Sequence, residues 1–222
     1  MKKQPAINDL LQVMTKLRSP TGCPWDREQN HLTLRRHAIE EVYELIDAIE
    51  AGDDIELAEE LGDLLLQVVF HCQLAHERGV FDFEKVTRRL VDKLIRRHPH
   101  VFGQVKVKNV DEVWANWEKI KRAEKHGTQH ERKSALDGIP KHLPALLRAE
   151  KLLKKARKAQ LLAPEPASKS KSAPRQAKAL GKELFALVTA ASARGWCAEE
   201  LLASETKRQE KSLRRRERLA RS

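Results

Sequence analysis

Aromatic residues make up only 5% of this 222-residue chain, and cysteine occurs three times. With 41% hydrophobic and 34% charged residues beside so few aromatics, the composition suits a helical protein with long amphipathic faces better than a β-rich one. Cys23, Cys72 and Cys197 are widely spaced and odd in number. That pattern gives neither a disulfide framework nor a cysteine-based metal signature, and it fits reduced thiols in a cytoplasmic protein. No apolar run approaches the roughly 20 residues that span a bilayer. Met1-Lys2-Lys3-Gln4-Pro5 leads into an amphipathic segment rather than a signal-peptide core. The length allows one domain or two.

Charge is plentiful but unevenly placed. Residues 1–125 hold 20 Lys+Arg and 22 Asp+Glu, a net of −2, whereas residues 126–222 hold 23 and 10, a net of +13. A basic half of this size points to anionic partners, either nucleotide phosphates or nucleic acid.

The acidic residues concentrate in two neighbouring segments, Glu40-Glu41-Val42-Tyr43-Glu44 and Glu60-Leu61-Gly62-Asp63. Glu40 and Glu44 are one helical turn apart, and Glu60 and Asp63 are three residues apart, so each pair shares a helix face. Ala51-Gly52-Asp53-Asp54 breaks the pattern and lets the two helices fold back as an antiparallel pair. Stacked like charges destabilise a bare helix. Facing each other, the two carboxylate pairs would form an oxygen cage for a hard cation such as Mg²⁺ or Mn²⁺.

In chain order, Ile7 to Leu17 is an amphipathic helix that ends at Ser19-Pro20-Thr21-Gly22. Cys23-Pro24-Trp25-Asp26 reads as a short loop, with Trp25 either plugging the core or stacking on a planar ligand; chemistry alone favours the plug. The acidic helices cover residues 32–50 and 55–78. The second is apolar nearly all round from Leu64 to Phe70, as at the centre of a bundle or a subunit interface. His71 and His76 read as structural or surface residues. Asp82 caps the next helix, which closes with Lys93-Leu94-Ile95-Arg96-Arg97. Lys93 and Arg97 are one turn apart: ordinary dipole compensation on their own, a phosphate clamp beside a cation cage. A helix from about Val110 to Lys125 places Trp117 one turn from Lys121. Leu143 to Lys158 is a strongly basic helix, residues 163–178 read as a disordered linker, and two further helices follow at about 179–193 and 197–220.

The tail echoes the front. Leu61-Gly62-Asp63-Leu64-Leu65 compares with Leu180-Gly181-Lys182-Glu183-Leu184, and Lys93-Leu94-Ile95-Arg96-Arg97 with Lys211-Ser212-Leu213-Arg214-Arg215. In the second copy Lys182 replaces Asp63 and Ala179 replaces Glu60. An ammonium in place of a carboxylate abolishes cation binding. The second copy therefore reads as a degenerate repeat over residues 179–222. It follows a first domain at 1–125, a connecting turn and basic helix at 126–162, and the linker.

Glu-Glu-x-x-Glu followed by Glu-x-x-Asp resembles the signature of the MazG nucleoside triphosphate pyrophosphohydrolases, within the all-α NTP pyrophosphatase superfamily. The resemblance extends to Gly22-Cys23-Pro24-Trp25-Asp26, Gly62-Asp63-Leu64-Leu65-Leu66-Gln67-Val68-Val69-Phe70, Arg96-Arg97-His98-Pro99-His100-Val101-Phe102, Trp117-Glu118-Lys119-Ile120-Lys121 and Ser134-Ala135-Leu136-Asp137-Gly138-Ile139-Pro140. It covers residues 1–158 closely and the tail weakly.

What the resemblance implies is an antiparallel helical bundle that assembles as a homodimer or higher oligomer. Its activity would be Mg²⁺-dependent hydrolysis of NTPs or dNTPs to monophosphate and pyrophosphate, a house-cleaning role in the nucleotide pool. By motif match, Glu40, Glu41, Glu44, Glu60 and Asp63 would hold metal, with Glu41 and Glu44 as catalytic candidates. Lys93, Arg96, Arg97 and Lys121 would contact phosphates, Trp117 would lie near the nucleotide, and Trp25 is a weaker candidate for the base. Longer relatives carry two intact motif copies; here only the first is intact. The competing reading is a non-catalytic dimeric protein that binds nucleic acid through its basic C-terminal half. Its tail contains only Phe185 and Trp196 as aromatics, so such binding would be to the backbone alone.

Overall fold

The computed structural model describes residues 5–129, 131–162 and 173–220, and every regular element among them is a helix. The all-α expectation holds. No helix among the described residues is long and apolar enough to cross a membrane. The chain divides into two compact units, one ending at Trp117 and the other beginning at Glu118.

The first unit is built on α1 (Ala6–Leu17), α3 (Arg35–Ala51) and α4 (Asp54–Glu77), with the short α2 (Pro24–Glu28) between the first two. Met14 of α1 and Leu34, Val69, Phe70 and Leu74 form the buried core, with Leu10, Leu11, Leu66 and Phe83 packed against it. Arg18 fastens α1 to the end of α4. Its Nε and Nη2 donate to the Glu77 carboxylate at 2.6 and 2.7 Å, and its guanidinium lies 5.6 Å from the Phe70 ring centroid. This fork holds the Glu77 carboxyl below its ordinary range.

The hairpin between α3 and α4 is fixed by two consecutive residues. Gly52 ends α3 in the left-handed region at φ 68°, where a side chain would cost about 1–2 kcal/mol. Asp53 then caps α4, its carboxylate accepting from the backbone N–H groups of Ile55 at 2.9 Å and Glu56 at 3.2 Å. The antiparallel pair expected from sequence therefore forms.

Ile39, Val42, Tyr43, Ile46 and Ile49 form the apolar side of α3, and all five are exposed. In α4, Val69 and Phe70 are buried but Leu65 and Val68 are exposed. Within this unit α3 packs on α4, and α4 on α1 and α5. After α4 come α5 (Phe83–Arg97), capped by Asp82 accepting from the Lys85 N–H at 2.7 Å, then α6 (Pro99–Phe102) and α7 (Val110–Ala123). The unit boundary falls inside α7 rather than at residue 125.

The second unit contains α8 (Ala145–Lys158), α9 (Ala173–Ser192) and α10 (Ala198–Leu219). Leu136, Leu152, Ala156 and Leu213 form its core, flanked by Ile139, Leu161 and Leu162. Around that core runs a polar network. Glu217 accepts from the Ser134 hydroxyl and from the Ala135 N–H at 2.7 Å, Lys155 donates to the Ala135 and Asp137 carbonyls at 3.2 and 2.9 Å, and Arg214 bridges Asp137 and Glu210 at 2.8 Å each. Arg148 also pairs with Glu210. Helix α9 begins at Ala173, earlier than the 179 expected; the rest of the expected linker, residues 163–172, lies outside the described residues. Gln176, Ala177 and Lys178 favour helix and extend α9 backwards towards Pro174, which a first helical turn tolerates. Leu180, Leu184, Phe185, Leu187 and Val188 of α9 are exposed.

Candidate metal centre

Helix α3 presents Glu41 to the face of α4 that carries Glu60 and Asp63. One carboxylate oxygen from each of these three lies within 4.8 Å of the other two, and each residue is half-buried. Among the described residues this is the only acidic, histidine or cysteine group of that kind. One turn beyond Asp63, the buried Gln67 donates its Nε2–H to Glu41 Oε1 at 3.1 Å. Glu60, Asp63 and Gln67 thus form one stripe of α4 facing one residue of α3.

Two acceptor oxygens in this stripe, Glu60 Oε2 and Gln67 Oε1, are buried without a hydrogen-bond partner among the described residues. An unpaired carboxylate oxygen removed from water is costly unless a positive charge meets it. Burial pushes the Glu60 carboxyl up, and Glu44, Asp63, Glu41 and Glu56 push it further. Burial also raises Glu41; the Gln67 hydrogen bond opposes the rise, and Asp63 and Glu44 add to it. A donor set of carboxylates with no thiolate and no imidazole suits a hard cation of the Mg²⁺ or Mn²⁺ kind. The residues therefore fit the metal that the sequence implies.

These raised pKa values fix the sign of a pH effect. A carboxyl whose folded-state pKa exceeds its unfolded value binds protons more readily when folded. In metal-free protein this stabilising contribution grows as pH falls from neutral through the folded pKa values of Glu41 and Glu60, and is absent above them. Thermal unfolding in a chelating buffer should therefore show the first unit gaining stability on mild acidification. Divalent cation should raise its Tm less at that lower pH, because protons compete for the same oxygens. A chelated Tm that falls over the same interval would contradict this.

The other expected residues are placed as follows. Glu44 is exposed and acts on Glu41 and Glu60 through its charge. Glu40 is exposed and turned to His37, with 3.2 Å between carboxylate oxygen and ring nitrogen. Trp25 is 51% exposed in α2 and meets His37 edge-on at 5.9 Å, so it does not plug the core, and its segment is a helical turn rather than a loop. Lys93 and Arg97 are half-buried on α5, and Arg96 is exposed. The Arg97 guanidinium lies 5.0 Å from the Trp117 ring centroid, and Lys121 is one turn further along α7, beyond the boundary of the first unit. His71 pairs with His31 through ring nitrogens 2.8 Å apart, in keeping with a structural role. Gln67 and His37 were missed. Gln67 had a signal: it is a polar residue inside the apolar run Leu64 to Phe70, four residues after Asp63.

Residues 29–102 match the MazG nucleotide pyrophosphohydrolase domain. A nucleoside triphosphate pyrophosphohydrolase of Escherichia coli (strain K12) is 50% identical over 150 residues, which are 67% of this chain and 56% of that protein. The nucleoside triphosphate pyrophosphohydrolase/pyrophosphatase MazG of Thermotoga maritima is 47% identical over 150 residues, 68% of this chain and 56% of its own length. The uncharacterized protein YabN of Bacillus subtilis is 49% identical over 142 residues, 64% of this chain and 28% of its own. The chain thus spans about half the length of the two pyrophosphohydrolases and less of the third protein.

Proposed function

Because the chain belongs, through residues 29–102, to the MazG nucleotide pyrophosphohydrolase family, we propose that it hydrolyses NTPs or dNTPs to monophosphate and pyrophosphate with Mg²⁺, or Mn²⁺ in its place, in the cytoplasm. The observation that carries this reading is the converging Glu41, Glu60 and Asp63 with a buried, unpartnered Glu60 oxygen. Glu41, Glu60 and Asp63 hold the cation, Glu44 is the next carboxylate to join, and Glu40 stays at the edge, oriented by His37. A cation held by these carboxylates would supply positive charge to the phosphate oxygens and lower the pKa of a nearby water. Gln67 fixes the orientation of Glu41, which would take the proton of the attacking water, with Glu44 beside it. Water oxygen bonds to the α-phosphorus, the α–β anhydride bond breaks, and pyrophosphate leaves. Lys93, Arg96, Arg97 and Lys121 bind phosphates; Trp117, with Arg97 over its ring, lies by the nucleotide, and Trp25 is a weaker candidate for the base.

The test is a panel of NTPs and dNTPs with Mg²⁺, assayed for pyrophosphate and orthophosphate separately. Pyrophosphate is expected; orthophosphate as the direct product puts cleavage at the wrong bond and overturns the reading. Gln67→Leu removes the donor to Glu41 while leaving the helix intact. Loss of such an outer partner costs about 10–100-fold in metal affinity, readable by calorimetric Mg²⁺ titration. Unchanged affinity would remove Gln67 from the site.

The proposal includes a homodimer or higher oligomer. The exposed stripe Ile39, Val42, Tyr43, Ile46 and Ile49 supports it, since residues at this spacing form one continuous apolar face of α3. Ile46→Asp places a charge in the middle of that face. Sedimentation should show a dimer for the parent chain and a monomer for the variant; a monomeric parent rejects this part.

A further inference from the structure

We propose that the outer face of α10 is a docking surface for the phosphate backbone of double-stranded nucleic acid, independent of base sequence and separate from the metal centre. The helix has a packed side and a cationic flank. Thr206, Leu213 and Glu217 are buried and Glu210 is half-buried, all on the side that packs on α8. Lys207, Lys211, Arg215 and Arg218, spaced four, four and three residues apart, lie together about a quarter to a half turn around the helix from that side and are all exposed. At 1.5 Å per residue they span about 17 Å in a straight line.

What makes this a cationic surface rather than a mixed one is the fate of the acidic residues. Glu205 is held by both Nε and Nη2 of Arg208 at 2.7 Å and by Gln209 at 2.6 Å, and these bonds lower its pKa to about 2. Glu210 is taken by Arg148 and Arg214, and Glu217 by Ser134 and Ala135. Every carboxylate between residues 205 and 218 is therefore engaged inside the unit. Among the described residues, no ion pair or hydrogen bond of the unit takes up the side chains of Lys207, Lys211, Arg215 or Arg218.

The chemistry of the face selects its occupant. Between Lys207 and Arg218 the one apolar residue is Leu213, and it is buried. The face therefore offers no side chain to insert among lipid chains, as an interfacial membrane helix does. It carries no aromatic residue, so it cannot stack on the bases of a single strand. What remains is a regular row of cations, complementary to a rod with one negative charge per about 1.7 Å of its axis.

The test uses the full chain and a fluorescent 20-base-pair duplex in an anisotropy titration from about 25 to 200 mM salt. Four phosphate contacts give log K against log salt a slope of about −3.6. Lys207→Gln/Lys211→Gln/Arg215→Gln/Arg218→Gln should remove about that much of the parent's slope and weaken binding at least tenfold at low salt. The double variant Lys211→Gln/Arg215→Gln should remove about half, which keeps the test alive if the quadruple variant misfolds. Metal-dependent pyrophosphate release should be the same in parent and variants, and binding is expected whether or not the parent releases pyrophosphate at all. Parent and variants with equal slopes, a parent that does not bind, tighter binding to the single strand, or binding to phosphatidylserine vesicles in preference to the duplex would each overturn the proposal.

Discussion

Asp63→Asn is expected to reduce Mg²⁺-dependent pyrophosphate release by about a thousandfold and, without metal, to make the protein more stable than its parent. The two effects share one cause. Asp63 contributes one of three carboxylates whose oxygens converge within 4.8 Å. With metal, the substitution removes a ligand charge from a centre worth several kcal/mol of charge stabilisation, and about 1.4 kcal/mol corresponds to each factor of ten in rate. Without metal, the same charge repels Glu41 and Glu60 and raises both of their pKa values. Asparagine keeps the shape and removes the repulsion. Thermal unfolding in chelator should rise for the variant, and the upward shift that Mg²⁺ gives the parent should vanish. Activity and metal-free stability thus move in opposite directions, which separates a ligand from a merely structural acid. A variant that loses activity together with metal-free stability, or keeps both, contradicts the assignment of Asp63.

Glu210→Ala should produce the largest loss of stability in the second unit, about 3 kcal/mol or more. Glu210 is the acceptor shared by Arg148 and Arg214. Arg148 is 8% exposed, and its Nη1 already lacks a partner among the described residues. Removing the carboxylate leaves a guanidinium uncompensated in a place water barely reaches, and that is the expensive way to break a buried pair. For a unit of this size the loss corresponds to a fall in Tm of more than about 10 °C. Arg148→Met with Glu210→Leu removes both charges and should recover most of the loss; failure to recover it would mean that packing, not charge, carries the effect. The pH dependence is opposite to that of the metal centre. Burial alone would raise the Glu210 carboxyl, but the hydrogen bonds from Arg214 and Arg148 outweigh it and hold the group below its ordinary range. A depressed carboxyl contributes stability above its unfolded pKa and loses it as pH falls through the folded value. Acid should therefore strengthen the metal-free first unit while pH is still above the ordinary carboxylate range, and weaken the second unit only once pH falls below it.

Much of the acidic cluster was legible in the sequence because helical spacing is a local property. The acidic pairs, the Gly52-Asp53 break and the Asp82 cap all follow from neighbours within one turn. What could not be read was rotation. Glu40 and Glu41 point about 100° apart on the same helix, and only the packing of α3 on α4 decides that Glu41 faces Glu60 while Glu40 turns to His37. The Arg97–Trp117 contact links α5 to α7 and has no local signature, so sequence spacing points only to the one-turn neighbour Lys121. Trp25 was misjudged because a large apolar ring usually fills a core; here the core is already filled by Met14, Leu34 and Phe70.

The two units also differ in how far along the chain their key contacts reach. Glu41 meets partners from Glu60 to Gln67 across a single hairpin, the most distant 26 residues away. Glu217 closes back on Ser134 and Ala135 over 83 and 82 residues. Closing the longer loop costs about 1 kcal/mol more chain entropy, at about 0.6 for each doubling of length. Contacts between near neighbours also form sooner than distant ones. During synthesis the acidic cluster can be complete once α4 has emerged, while the second unit must wait for α10 before its turn at Ser134 is held. A chain cut short before Glu217 would therefore still build that cluster, and would leave α8 and the Ser134 turn without the strap that closes them.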